Sequence, residues 1–255
     1  MTVLSINLNK IALVRNSREG HRPSVVEAAR TAIAAGAMGV TVHPRPDQRH
    51  IRPHDVTDLA AMLADEYPHI EFNIEGNPLA GPTDAGYPGF HALIEAARPA
   101  QATLVPDSDD QLTSDHGYDL LTFDNTLAET IARYQAWGAR VSLFMDPIAA
   151  QIDAAKAHGA DRIELYTGPF AETYWAHGPE HAATVESFNS YARAAEHAAS
   201  IGLGVNAGHD LDLDNLPLFN TIAELAEVSI GHALISDALE RGLSDSVRAY
   251  ADILS

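Results

Sequence analysis

The chain has no cysteine. Disulfides, thiolate metal sites and a cysteine nucleophile are therefore excluded. Positive charge is scarce too, with 16 Lys and Arg against 35 Asp and Glu and a formal charge of −19. Nucleic-acid binding needs a basic stripe against the phosphate backbone, so no nucleic-acid partner is expected. Long apolar runs are missing. None approaches the roughly 20 residues that cross a bilayer, and no membrane partner is expected. The opening MTVLSINLNK lacks the basic leader and long apolar stretch of a signal peptide, which makes a cytoplasmic location the expectation. What is present is the mixture of an ordinary folded domain, 46% hydrophobic and 20% charged over 255 residues. That length predicts one α/β domain over residues 1–255 rather than two small ones.

Short β-branched runs alternate with longer helical patterns from end to end. The runs Val3–Leu8, Gly39–His43, Ile70–Glu75, Ala102–Val105, Arg140–Met145, Arg162–Tyr166, Gly204–Ala207 and Val228–Ile230 read as strands. Apolar or alanine positions at helical spacing mark Ser24–Ala35, His54–Tyr67, Tyr87–Ala97, Leu127–Trp137, Ala149–His158, Glu180–Ile201, Leu216–Leu225 and Ala233–Leu254. Gly36, Gly138, Gly159 and Gly202 fall just before the next strand, where a left-handed residue closes a helix. Such alternation implies parallel pairing through right-handed crossovers, and this many units in about 250 residues predict a closed (β/α)8 TIM barrel. The competing architecture is an open doubly wound sheet. It would carry a GxGxxG turn after the first strand, where this chain has Asn7-Leu-Asn-Lys10. The longest irregular stretches are Asn77–Gly86, Asp107–Asn125 and Thr167–Pro179, and Asp107–Ser114 and Thr167–Pro179 are the expected lids.

Catalytic groups of a barrel gather at the carboxyl ends of its strands. Strand one brings Asn7, Asn9 and Lys10, followed by Arg15 and Arg18, and strand two brings His43 and Arg45, then Arg49 and His50. Strand three ends at Glu75, strand four leads to Asp107 and Thr113, and strand five to Asp146. Strand six supplies Glu164, Tyr166 and Thr167, strand seven ends in Asn206-Ala-Gly-His209, and strand eight in Gly231-His232. The scarce cations and several histidines thus collect at one mouth. Histidine exchanges a proton near neutral pH. A glutamate at the inner end of a strand is costly to bury unless it is paired or works as an acid or base. A proton-transfer site is the expectation.

Arg18, Arg45 and Arg49 offer forked donors suited to phosphate oxygens. Ser229-Ile-Gly-His-Ala233 reads as a strand, a glycine and a helix start, which together favour an anion. A phosphorylated ligand follows. No HxH pair or HExxH helix is present, so no metal site is expected. Glu75, Asp146, Glu164 and His209 nevertheless leave open a Mg²⁺- or Mn²⁺-dependent sugar-phosphate isomerase or epimerase. A non-catalytic phosphometabolite-binding barrel is the other open class. His177-Gly-Pro-Glu-His181 reads as a loop before a helix.

These same residues carry a resemblance. The stretches are Ser5-Ile-Asn-Leu-Asn-Lys-Ile-Ala12, Leu13-Val-Arg-Asn-Ser-Arg18, Gly39-Val-Thr-Val-His-Pro-Arg45 with Arg49-His-Ile51, and Phe72-Asn-Ile-Glu75. They continue with Ala102-Thr-Leu-Val-Pro106, Val141-Ser-Leu-Phe144, Ile163-Glu-Leu-Tyr-Thr-Gly168, Val205-Asn-Ala-Gly-His209 and Ile230-Gly-His-Ala233. In one consistent order over nearly the whole chain, this set resembles the pyridoxine 5′-phosphate synthase family of deoxyxylulose-dependent vitamin B6 synthesis.

The resemblance implies a (β/α)8 barrel with extra helices, assembled as a homo-octamer (a tetramer of dimers), without organic cofactor or metal. It implies a ring-closing transferase that condenses 3-amino-2-oxopropyl phosphate with 1-deoxy-D-xylulose 5-phosphate to pyridoxine 5′-phosphate, phosphate and water. His43 and Glu75 would be proton acceptors and His209 a proton donor. Asn7, Arg18, Gly231 and His232 would hold the aminoketone phosphate, and Arg45, His50 and Thr113 the deoxyxylulose phosphate. The better-known family pattern has Asp-His where this chain has Asn9-Lys10, glycine at Asp210 and an acidic residue at Pro46. The Asn-Lys form resembles a second branch of the family. Lys10 and Asp210 are therefore carried as substrate-binding positions, Lys10 restoring a cation. The side chain of Asp210 must turn away from the phosphate or meet a cation.

Overall fold

The computed structural model describes residues 2–108, 111–122 and 126–255. The strands are β1 Val3–Asn7, β2 Gly39–Val42, β3 Glu71–Gly76, β4 Gln101–Leu104, β5 Arg140–Met145, β6 Arg162–Tyr166, β7 Gly204–Gly208 and β8 Leu225–Ile230. All pair in parallel with their neighbours in chain order, and β8 returns to β1 in the register Val3↔Glu227 to Ile6↔Ile230. That closure makes a single-domain (β/α)8 barrel and excludes the open sheet.

Side chains alternate across each strand. One set (Leu4 and Ile6, Val40 and Val42, Phe72 and Ile74, Ile163 and Leu165) is buried in the hydrophobic core beneath the surrounding helices. The other set fills the barrel and is polar. Ser5 bonds Thr41 at 2.7 Å, Asn73 donates to Thr41 at 3.3 Å, and Thr103 donates to Asn73 at 3.1 Å. Lower in the barrel Arg162 donates to Asn206 at 3.0 Å and Asn206 to Gln101 at 3.3 Å. Most buried polar groups in folded proteins are bonded in this way. Here the core lies outside the barrel, and a polar column runs up inside it to the mouth.

Among the described residues the helices are α1 Asn9–Asn16, α2 Val25–Ala34, α3 Pro53–Glu66, α4 Phe90–Ala97, α5 Thr126–Ala136 and α6 Ala149–Ala157, then α7 Gly168–His177, α8 Ala182–Ser200, α9 Leu216–Phe219, α10 His232–Arg241 and α11 Leu243–Leu254. Ser24 caps α2 by accepting from the Glu27 N–H at 3.2 Å. Gly36, Gly138, Gly159 and Gly202 all take positive φ, from 79° to 114°, as the closing glycines. None of the helices among the described residues is long and apolar enough to cross a membrane.

Three expectations are corrected. Thr167–Pro179 is not an irregular lid but largely α7, which Phe170 anchors by packing at 5.3 Å from the ring of Phe219. Pro169 and Gly178, which look like breakers, are its start and stop. His177 accordingly ends α7, with its ring stacked 4.4 Å from that of His181. The expected helix Leu216–Leu225 is one turn, Leu216–Phe219, and β8 begins at Leu225, paired with Val205 of β7. Ala233–Leu254 is broken in two by Gly242 at φ 84°. An unexpected helix, α1, follows β1 directly and carries the first loop across the mouth.

Candidate active site

A cavity of about 440 Å³ opens among the strand ends. His43, Glu75 and His209 all line it, from the tips of β2, β3 and β7. Asn7, Lys10, Arg45, His50 and Thr113 line it as well, and so do Asp210, Gly231 and His232. Of the residues expected to act on or bind substrate only Arg18 is elsewhere, exposed beyond the end of α1. The reason is local. Arg15 turns inward to a bidentate ion pair with buried Asp55, and Asn16 donates to the carbonyls of Arg49 at 3.1 Å and His50 at 2.7 Å. The end of α1 thus clamps the loop after β2, and the chain leaves the mouth there.

The β2 wall is tightly braced. Asn9 caps it by accepting from the His43 N–H at 2.9 Å, and the Asn9 N–H in turn donates to Asn7 at 3.0 Å. Arg45 is paired with Asp107, both side chains being buried, and donates to the Gln111 carbonyl at 3.2 Å. Arg49 adds bonds to the carbonyls of Gln111 and Leu112 at 3.0 and 3.1 Å. Burial, with Arg45, His50 and Arg49 as further causes, pushes the pKa of His43 well below the ordinary imidazole value. Burial, then Arg45, Lys10 and Arg49, lowers that of His50 to about 3. The ring of His50 accepts at Nδ1 from the Ile51 N–H at 2.9 Å, so its proton sits on Nε2.

Glu75 sits where β3 meets the cavity and accepts from the Asn7 amide at 3.2 Å. Burial, then Asp107 and Glu227, raises its pKa to about 8 against the pull of Arg45 and Asn7. Burial and the neighbouring Glu75 raise that of Glu164 as well. Two carboxyl groups in one dry space cannot both ionise cheaply, and one of them is left able to carry a proton at neutral pH.

The β7 wall is more open. His209 has φ 95°, and its Nε2 lies 2.6 Å from the Thr113 hydroxyl and its Nδ1 2.7 Å from Asp210. The carboxylate of Asp210 thus turns toward an imidazole. Gly231 precedes α10, and a Cβ there would stand 3.0 Å from the Cβ of Asn7, a tight approach that glycine relieves. With His232 it presents the N-terminus of α10 to the cavity, a favourable place for an anion.

Leu13, Leu112, Phe144 and Ser229 also line the cavity and were not anticipated. Phe144 and Ser229 had a readable signal, each lying two residues beyond another inward position of its strand, Ser142 and Glu227. Asp146 is not part of the lining, and its carboxylate accepts from the Gly117 N–H at 3.2 Å. The described residues hold no group of three or more His, Asp or Glu placed to bind a metal ion.

The family model described as "Pyridoxal phosphate biosynthesis protein PdxJ" matches residues 4–255. A pyridoxine 5′-phosphate synthase of Xanthomonas oryzae pv. oryzae (strain MAFF 311018) is 55% identical over 256 residues, covering 100% of this chain and 97% of that one. Its counterpart in Xylella fastidiosa (strain 9a5c) is 51% identical over 254 residues, covering 99% and 95%. Among solved structures, a thiamine phosphate pyrophosphorylase from Pyrococcus furiosus superposes with a TM-score of 0.61 at 13% identity over 99% of this chain and 95% of that one, a likeness of fold alone. With a family match along the barrel and identity above one half to full-length relatives, the chain belongs to the pyridoxal phosphate biosynthesis protein PdxJ family.

Proposed function

We propose that the chain is a pyridoxine 5′-phosphate synthase, condensing 3-amino-2-oxopropyl phosphate with 1-deoxy-D-xylulose 5-phosphate to pyridoxine 5′-phosphate, inorganic phosphate and water. The observation that carries the reading is the meeting of His43, Glu75 and His209 in one cavity that also holds a helix N-terminus and the cation Lys10. Ring closure needs imine formation, loss of phosphate, carbon–carbon bond formation and dehydration, with two waters released in all. Each step moves a proton beside a carbonyl or imine, the task of positioned acids and bases.

His43, held neutral by burial and by cationic neighbours, is suited to accept a proton. Glu75, with its raised pKa, is suited to take one up and return it. His209 donates to a leaving oxygen. The aminoketone phosphate sits on Gly231 and His232 beside Asn7. The sugar phosphate is met by Lys10, by the Nε2–H of His50, by Thr113 and by the donors of Arg45 that Asp107 leaves free. Arg18 has no hydrogen-bond or ion-pair partner among the described residues, and assembly into the expected homo-octamer is what would bring it to a phosphate. Holding both partners together adds a proximity term that reaches roughly 7–11 kcal/mol for well-oriented reactants. No step draws on a cofactor or metal.

The test is incubation with both substrates while pyridoxine 5′-phosphate and inorganic phosphate are measured. Equal release of the two is the expected result. Saturable binding of either substrate with no phosphate release would leave only a binding barrel.

A further inference from the structure

We infer that Asp210 is a positioning residue for His209, its carboxylate fixing the proton of the imidazole on Nδ1 and aiming Nε2 at the place where the substrate's leaving oxygen must come. The inference rests on the reading of His209 as proton donor. It gives a partner to the side chain that the sequence expects to turn away from the phosphate.

The carboxylate of Asp210 lies 2.7 Å from Nδ1. An ionised carboxylate only accepts, so Nδ1 must carry hydrogen, and Nε2 is the nitrogen that exchanges its proton. Nε2 meets the Thr113 hydroxyl at 2.6 Å, and Thr113 is part of the cavity wall. An oxygen already occupies hydrogen-bond range of the working nitrogen, from the side a substrate would enter. Acceptor, ring and hydroxyl form one line from β7 across to the loop after β4.

The turn that carries this carboxylate is braced through its backbone. The Asp210 N–H donates to the Thr167 hydroxyl at 3.4 Å, and that hydroxyl donates to the Gly208 carbonyl at 2.6 Å. The Asp210 carbonyl accepts from the Asn215 amide at 3.1 Å. None of these bonds uses the carboxylate, so the turn is held by its backbone and the side chain is left for the imidazole. On its other side His209 meets the edge of Tyr166, with ring centroids 5.5 Å apart. The φ of 95° at His209 is uncommon outside glycine and persists where surrounding bonds over-determine it. An anion pointed at a phosphate would oppose binding. The same anion on Nδ1 orients the ring instead, as the acidic member of a catalytic triad does.

The experiment compares the native chain with Asp210→Asn, Asp210→Ala and His209→Asn. With ¹⁵N-histidine labelling, the native His209 should resonate as the Nδ1–H form, and both Asp210 variants should shift toward the Nε2–H form. In turnover with both substrates, both Asp210 variants should lose roughly 10²–10³ in kcat, while each KM stays within about threefold. Thermal unfolding of Asp210→Asn should stay close to native, since the bonds from Thr167 and Asn215 remain. An unchanged tautomer, or a raised KM with kcat intact, overturns the positioning role. Full turnover in His209→Asn overturns the donor reading beneath it, and that result is separate, because the labelling experiment reads the pairing without any turnover.

Discussion

At the tip of β2, His43 is buried beside Arg45, Arg49 and His50, whereas at the tip of β7 His209 is a quarter exposed, with a carboxylate on one nitrogen and a hydroxyl on the other. The same side chain serves two walls of one cavity under opposite electrostatics. Cations and dryness keep the first ring neutral and receptive. A carboxylate orients the second. On the proposed reading, these opposed environments separate a base from an acid. The β2 wall achieves this with buried ion pairs and the β7 wall with a braced turn, so the two should fail differently when cut.

The largest effect is expected between the walls, at Glu75. Glu75→Gln should lower kcat by at least about 10³ while calorimetric binding of either substrate stays within about threefold, and unchanged turnover would remove Glu75 from the chemistry. The next is structural and confined to the β2 wall. Arg45→Met strands Asp107, whose Oδ1 has no hydrogen-bond partner among the described residues, and should cost about 3–5 kcal/mol in chemical denaturation. Arg45→Met with Asp107→Leu should recover most of that, and failure to recover would mean the pair does more than compensate charge.

Stability against pH gives a smaller and signed effect. His50 titrates at about 3 when folded against 6.5 when free, so its contribution is present above pH 6.5 and lost as pH falls toward 3. Glu75 titrates at about 8 when folded against 4.5 when free, so its contribution is present below pH 4.5 and lost as pH rises toward 8. His50→Gln should flatten the acid limb of the unfolding free energy and Glu75→Gln the alkaline limb. The reverse assignment would contradict the burial of both groups. The smallest effect belongs to Asp47→Asn, which removes the partly exposed pair with Arg49 and should move stability by no more than about 1 kcal/mol.

Much of this was legible from residues alone. Arg140–Met145 and Arg162–Tyr166 are bounded as the β-branched runs predict, and the closing glycines stand where helical periodicity stops. The site was legible because strand ends in a barrel must converge, which brought His43, Glu75 and His209 together from 166 residues of separation. Partners were not legible. Nothing in the local sequence says that Arg15 chooses Asp55 and leaves Arg18 outside, or that Arg45 is neutralised by Asp107, because those choices depend on which loops meet. The helix α7 was hidden by Gly168-Pro169 and Gly178-Pro179, whose local meaning as breakers or as caps is decided by the packing of Phe170. The polar lining is readable in alternations such as Phe72-Asn-Ile-Glu75, where every second residue faces the barrel interior.

The backbone angle at His209 bears on how any mutational scan of this mouth should be interpreted. A valine, isoleucine or leucine placed there pays for an unwelcome φ of 95° before any proton is transferred, so an inactive variant would confuse a distorted turn with a missing acid. Asparagine tolerates that region several-fold better than most residues, and it is the substitution at this position whose lost activity can be assigned to the imidazole.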